Sequence, residues 1–285
     1  MIDGLKRLFV VSRPVSWVNT AYPFAAAYLV LGGDIDTTFI IGTLFFLIPY
    51  NLLMYGINDV FDYESDLRNP RKGGIEGAME SKRYHGMILR SSVLLALPFI
   101  AALVLLGTTA ATYVLAAVLF AVVAYSMKGL RFKERPVLDS ITSSIHFVGP
   151  FVYALAFFDF PTEGWSYALA FFLWGMASHA FGAVQDIVPD REGNLASIAT
   201  VFGARWTVRF SVLLYVASSA LLIVSDPRAI FVALAGICYA INCLPFVNLS
   251  DKDSALANKG WRRFIYLNLA AGFVVTMTLI AVRLA

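Results

Sequence analysis

The chain has 285 residues, 59% of them hydrophobic and only 14% charged, with a formal charge of +3. That composition excludes an ordinary water-soluble domain, and so small a charge gives no reason to expect nucleic acid as a partner. Cys238 and Cys243 share one apolar run and lie on different faces of a helix, which excludes a disulfide framework or a thiolate metal site.

Apolar stretches of about 18 to 22 residues recur, the length that spans a hydrocarbon core as helix. Unpaired backbone groups are intolerable in lipid, and an outer-membrane barrel would show shorter alternating segments. The predicted fold is therefore an all-α integral membrane protein, a bundle of nine transmembrane helices over residues 16–33, 38–57, 89–106, 110–127, 140–158, 165–185, 207–224, 229–247 and 264–282. Nothing resembles a soluble second domain, so residues 1–285 are expected to form a single transmembrane domain.

In chain order, Lys6, Arg7 and Arg13 precede a first span too long for a signal-peptide core, so it is expected to stay as a helix. The N-terminal segment and the loops after helices two, four, six and eight, together with the span ends that adjoin them, carry all but Arg228 and Arg283 of the 22 basic residues. The N-terminus is therefore expected in the cytoplasm and, after nine spans, the C-terminus outside a cell membrane. The outer connections only turn the chain, whereas the inner ones are longer and polar, so chemistry is expected at the cytoplasmic face.

Asn19 in helix one and Asn51 in helix two are candidates to line a substrate cavity, since intramembrane polar residues are costly. Asn51 precedes Asn58 by seven residues, on one stripe. Helix two runs into Asn58-Asp59-Val60-Phe61-Asp62-Tyr63-Glu64-Ser65-Asp66. If helical, this segment puts Asp59, Asp62 and Asp66 on one face, where the like charges repel unless a cation sits among them. Carboxylate oxygens suit Mg2+, and Asn58 can add a neutral oxygen. Glu64 is expected to face away.

Arg68, Arg71 and Lys72 follow, then Lys128, Arg131 and Lys133 after helix four beside Tyr125. Arginine grips phosphate with a planar fork and lysine offers a point charge, although inner loops are also basic to set topology. His179 lies seven residues before Asp186 on helix six and could accept or relay a proton, or simply bond between helices. Asp186 and Asp190 then stand four apart at the end of helix six, where Pro189 is expected to interrupt the helix. Asn242 and Asn268 read as packing residues.

With these motifs the chain resembles the UbiA-type membrane prenyltransferase superfamily, whose members carry N-D-x-x-D-x-x-x-D after helix two and D-x-x-x-D after helix six. Within it, Ser12-Arg13-Pro14-Val15-Ser16-Trp17, Asn69-Pro70-Arg71-Lys72-Gly73-Gly74 and Ser178-His179-Ala180-Phe181-Gly182-Ala183-Val184-Gln185-Asp186 are similar to lycopene elongases of C(50) carotenoid synthesis. The resemblance implies Mg2+-dependent transfer of a dimethylallyl group from dimethylallyl diphosphate to the ends of lycopene or a related lipophilic acceptor. Metal-assisted ionisation would leave an allylic carbocation, shielded by an apolar, aromatic cavity. Asp59, Asp62, Asp186, Asp190 and His179 are then the expected catalytic residues, and Asn58, Asp59, Asp62, Asp66, Asp186 and Asp190 the expected metal ligands. Arg13, Asn19, Asn51, Arg68, Arg71, Lys72, Tyr125 and Lys128 are the expected substrate-binding residues. Membrane lipid and other carotenoid-pathway enzymes are the expected partners. Two alternatives share the sequence pattern: transfer to an aromatic acceptor such as a quinone precursor, and a cation transporter whose acidic helix ends concentrate divalent ions.

Overall fold

Long runs of Leu, Ala, Val and Phe with few turn residues form helices throughout the computed structural model, which describes residues 2–67 and 79–284. No strand occurs among them. The helices are α1 (Ile2–Val11), α2 (Val18–Val30), α3 (Thr37–Leu47), α4 (Pro49–Asp66), α5 (His85–Leu106), α6 (Thr109–Ser126), α7 (Leu138–Leu155), α8 (Thr162–Val184), α9 (Ile187–Glu192), α10 (Ile198–Ser225), α11 (Ile230–Cys243) and α12 (Asn258–Leu284).

Among the described residues, seven helical stretches are long and apolar enough to cross a membrane. They correspond to predicted helices two, three, four, six, seven, eight and nine. The other two expected spans coincide with α2, which has 13 residues, and with α7. The first half of α7 carries Asp139, Ser140, Thr142, Ser143, Ser144 and His146, and these polar groups lower its apolar character. Large apolar side chains point outward from the spans, with Leu105 85% and Tyr266 74% exposed. Such surface is what a lipid solvent tolerates and water does not.

The chain divides into two compact units, residues 1–132 with 145–160, and residues 133–144 with 161–285. The first contains α1 to α6. Its core is aromatic: Phe24, Tyr28, Phe45, Phe46, Tyr50 and Tyr153 interlock, with Phe24 and Phe46 centroids 5.4 Å apart and Phe46 and Tyr153 5.7 Å apart. Such tilted and edge contacts add stabilisation beyond apolar burial.

The expected continuous helix two is broken at Ile48 and Pro49. Proline has no N–H and its ring collides with the preceding turn, so the ladder cannot run through it. Asn51 covers the exposed carbonyls: Nδ2 donates to Phe46 O at 2.8 Å, to Leu47 O at 3.1 Å and to the Thr20 hydroxyl at 2.6 Å. Past the break α4 runs to Asp66, and Gly56 lets it lie close against Ile88 and Ser92 of α5.

The second unit is built on α8, α10, α11 and α12, packed in that succession around Phe181, Tyr215, Tyr239, Phe246 and Phe264. Near its start α10 bends at Gly203, whose φ of 77° lies in the left-handed region that a side chain disfavours. Asp251 closes the bend by accepting from Ala204 N at 2.7 Å, so the second part of α10 starts on a capped N–H.

Candidate active site

In the first unit, α4 carries Asp59, Asp62 and Asp66 on one face, and all three are buried, at 4, 5 and 8% exposure. Burying carboxylates is costly unless cations or donors stand against them. Arg13, in a left-handed turn (φ 50°) between α1 and α2, places Nη2 2.6 Å from Asp59 Oδ1. Its guanidinium also lies over the Tyr55 ring, 4.1 Å from the centroid. Burial opposes the charge on Arg13, but Asp59 more than compensates and its pKa lies above the ordinary value. Asn58 donates through Nδ2 to Asp62 Oδ2, and Arg131 Nη2 stands 3.9 Å from Asp62 Oδ1. Glu64 is exposed and pairs with Lys82, as expected for a residue on the outer face.

The second cluster sits in the other unit, where α8 ends and α9 begins. Pro189 does not simply end a helix here. The long helix stops at Val184, and Pro189 occupies the first turn of the new helix α9, where a missing N–H costs nothing. Asp186 caps α9 by position, and Asp190 follows one turn later, its N–H donating to Asp186 O at 2.9 Å. Both carboxylates are partly exposed.

Two clamps hold this junction. Gln185 donates to Gly182 O at 2.9 Å and accepts from Asn258 Nδ2 at 2.6 Å. Arg191 donates to Thr200 O at 2.6 Å and pairs with Asp251 at 2.8 Å.

His179, on α8, contacts the Ser140 hydroxyl through Nδ1 at 3.0 Å. Tyr125 is half-buried with its ring edge-on to His146, centroids 5.1 Å apart. Asn19 is half-buried, and the amide of Asn51 is spent on the break before α4, which makes it a structural support of the acidic helix. Lys128 is exposed, and it is Arg131, three residues on, that approaches Asp62. Arg68, Arg71 and Lys72 lie outside the described residues. Asn242 and Asn268 take part in helix packing, bonded to Gly260 O and the Tyr239 hydroxyl. Asp139, Ser140 and Asp251 were not expected to matter here. Their only signal was polarity at the ends of apolar runs.

The sequence profile of the UbiA prenyltransferase family matches residues 20–271. The chain belongs to this UbiA prenyltransferase family. It is accordingly a membrane prenyltransferase. The chain is 52% identical over 275 residues to the C(50) beta-cyclic carotenoids biosynthesis protein LbtBC of Dietzia sp., covering 95% of this chain and 64% of that protein. It therefore spans less than two thirds of the Dietzia protein's length. It is 47% identical to a lycopene elongase/hydratase of Corynebacterium glutamicum over 99% of each. The fold matches a UbiA homologue of Archaeoglobus fulgidus, whose structure was solved with DMAPP and Mg2+, with a TM-score of 0.66 at 18% identity over 93% of this chain and 98% of that one.

The residues of this UbiA enzyme suit a hard divalent cation in their chemistry, because Asp59, Asp62, Asp66 and Asn58 offer oxygen alone. Among the described residues no group of three or more His, Cys, Asp or Glu side chains stands ready as a closed cage. Mg2+ needs no such cage: it commonly takes one or two carboxylates, waters and phosphate oxygens of the substrate.

Proposed function

We propose that this chain transfers dimethylallyl groups from dimethylallyl diphosphate to the two ends of lycopene, giving a C(50) carotenoid. The observation that carries the acceptor is the 47% identity to a protein named lycopene elongase/hydratase along 99% of both chains. The observation that supports the donor is the buried carboxylate face of α4 with Arg13 and Arg131 at its edge.

Asp59, Asp62, Asp186 and Asp190, with Asn58 and Asp66 in support, would hold Mg2+. When bound, the ion supplies charge that stabilises the departing diphosphate. Arg131 and the basic loop residues Arg68, Arg71, Lys72 and Lys128 then bind diphosphate oxygens, arginine by its fork and lysine by its point charge. Arg13 pairs with Asp59 and holds it in place. Loss of diphosphate leaves an allylic cation that the terminal double bond of lycopene attacks, so the protein needs no nucleophile. Its task is to keep water away, which apolar and aromatic walls achieve; Trp17, Tyr22, Phe61, Tyr125 and Phe181 are the candidates, and Asn19 is a further candidate to line the substrate cavity. His179 is the group able to take up or relay a proton once the new bond has formed.

Residues 1–285 would act as one domain of nine spans, α2 and α7 completing the seven evident ones. The basic loops would face the cytoplasm, with the C-terminus outside. Membrane lipid surrounds it, and other carotenoid-pathway enzymes deliver lycopene.

The test is conversion of lycopene by membranes containing the protein, supplied with dimethylallyl diphosphate and Mg2+. C(50) product should appear, stop with EDTA and return when Mg2+ is restored. Unchanged lycopene together with prenylation of an aromatic acceptor, or ion flux without any product, would overturn the reading.

A further inference from the structure

Against the bend of α10 at Gly203, within the second unit, lies a cavity of about 250 Å³. Phe202, Arg205 and Trp206 of α10 form one wall, and Leu249, Ser250 and Asp251 form the other. The cavity precedes the long apolar stretch of α10, at an end of the helix where basic residues gather. Lys252 follows Asp251 in the chain, and Lys259, Arg262 and Arg263 open α12. The apolar side of the cavity is exposed, Phe202 by 52% and Trp206 by 64%. A tryptophan at the end of a span is an anchor in the lipid headgroup layer. This one is held in place: the Arg209 guanidinium lies 5.2 Å from its ring centroid and donates to Val247 O at 3.2 Å and Asn248 Oδ1 at 2.9 Å. On the polar side, Asp251 is already engaged, through Oδ1 by Ala204 N and through Oδ2 by Arg191, and the Ser250 hydroxyl donates to Asp253 at 2.6 Å. Arg205, by contrast, has no side-chain hydrogen bond or ion pair among the described residues. The cavity thus offers one unspent guanidinium beside a fixed aromatic ledge, with its own acid neutralised.

We propose that this cavity binds the headgroup of an anionic phospholipid, with the phosphate on Arg205 and the acyl chains passing Phe202 and Trp206 into the bilayer. The guanidinium fork matches two phosphate oxygens. With Asp251 paired to Arg191, Arg205 and Arg209 leave the rim net positive, and this favours an anionic headgroup over a zwitterionic one. The headgroup touches both walls, one on each side of the bend at Gly203, and so braces the segment whose Asp251 also holds Arg191 of α9. Binding to the folded protein alone raises its stability. The site is separate from the acidic clusters and does not depend on which acceptor the enzyme prenylates.

The test is native mass spectrometry of the whole protein in neutral detergent, with dioleoyl phosphatidylglycerol or dioleoyl phosphatidylcholine added, paired with thermal unfolding of the same samples. Phosphatidylglycerol should stay bound and raise the unfolding temperature, and phosphatidylcholine should do neither. Arg205→Gln should lower the retained phosphatidylglycerol about fivefold, and Trp206→Ala should lower it too. Arg263→Gln removes another exposed cation at the start of α12 and should leave retention unchanged. All three positions are exposed, so the variants keep the fold. Equal retention of the two lipids, or equal losses in Arg205→Gln and Arg263→Gln, would mean diffuse attraction and overturn the site. Displacement of the lipid by inorganic phosphate would show a simple anion site and overturn it as well, as would the absence of any bound phosphatidylglycerol. None of these outcomes bears on lycopene elongation, because the readout is binding and not turnover.

Discussion

The two acidic clusters begin from the same pattern, carboxylates three or four residues apart, and end in different surroundings. On α4 the three aspartates are buried, and two of them already face protein cations, with Arg13 on Asp59 and Arg131 near Asp62. At the junction of α8 and α9 the two aspartates are partly exposed, and the nearby arginine, Arg191, is turned to Asp251 and a carbonyl. The first cluster is held in place before any ligand arrives. The second lies at a helix junction that the side chains of Gln185 and Arg191 clamp. One sequence signal thus corresponds to two surroundings, one buried against arginines and one partly exposed at a helix junction.

The largest effects should leave that distinction behind, because the proposed chemistry draws on both clusters. Asp59→Asn, Asp62→Asn, Asp186→Asn and Asp190→Asn should each lower turnover by about a hundredfold or more while the protein still inserts in membranes. The measurement is product formation at saturating dimethylallyl diphosphate, and two variants with unaltered rates would break the common role.

Removing the cations should then separate the clusters. Arg13→Ala removes the guanidinium paired with buried Asp59 and should cost about 3 kcal/mol of stability. Gly203→Ala should cost about 2 kcal/mol, since a side chain there meets both a left-handed backbone and Asp251 Oδ1 at 2.9 Å. Arg191→Ala breaks a pair that is 44 and 38% exposed and should cost under about 1 kcal/mol. Thermal unfolding in detergent at neutral pH ranks the three. Equal losses for Arg13 and Arg191 would show that the two clusters do not differ as described.

How much of this was legible in the sequence differs from residue to residue. Asp59, Asp62 and Asp66 share a face because the helix does continue past Ile57, as their spacing required. Pro49 was equally visible, and here it interrupts the helix at Ile48 and Pro49 within a single span. Loop lysines and arginines all look alike in sequence. Only the turn after α6, with Arg131 at φ 40°, brings that arginine to Asp62 and leaves Lys128 exposed. His179 stood out as a costly intramembrane group, but Ser140 lies 39 residues away and nothing local links them.

The sequence by itself determined the solvent, the helical class, the family and the identity of the acidic groups, because each follows from composition or from spacing along one helix. The tertiary structure decided which of those groups have partners: Arg13 for Asp59, Ser140 for His179, Asp251 for Arg191 and the bend at Gly203. Those pairings join residues far apart in the chain. Their energies depend on burial and on distances of a few ångströms, which no period within a single helix encodes.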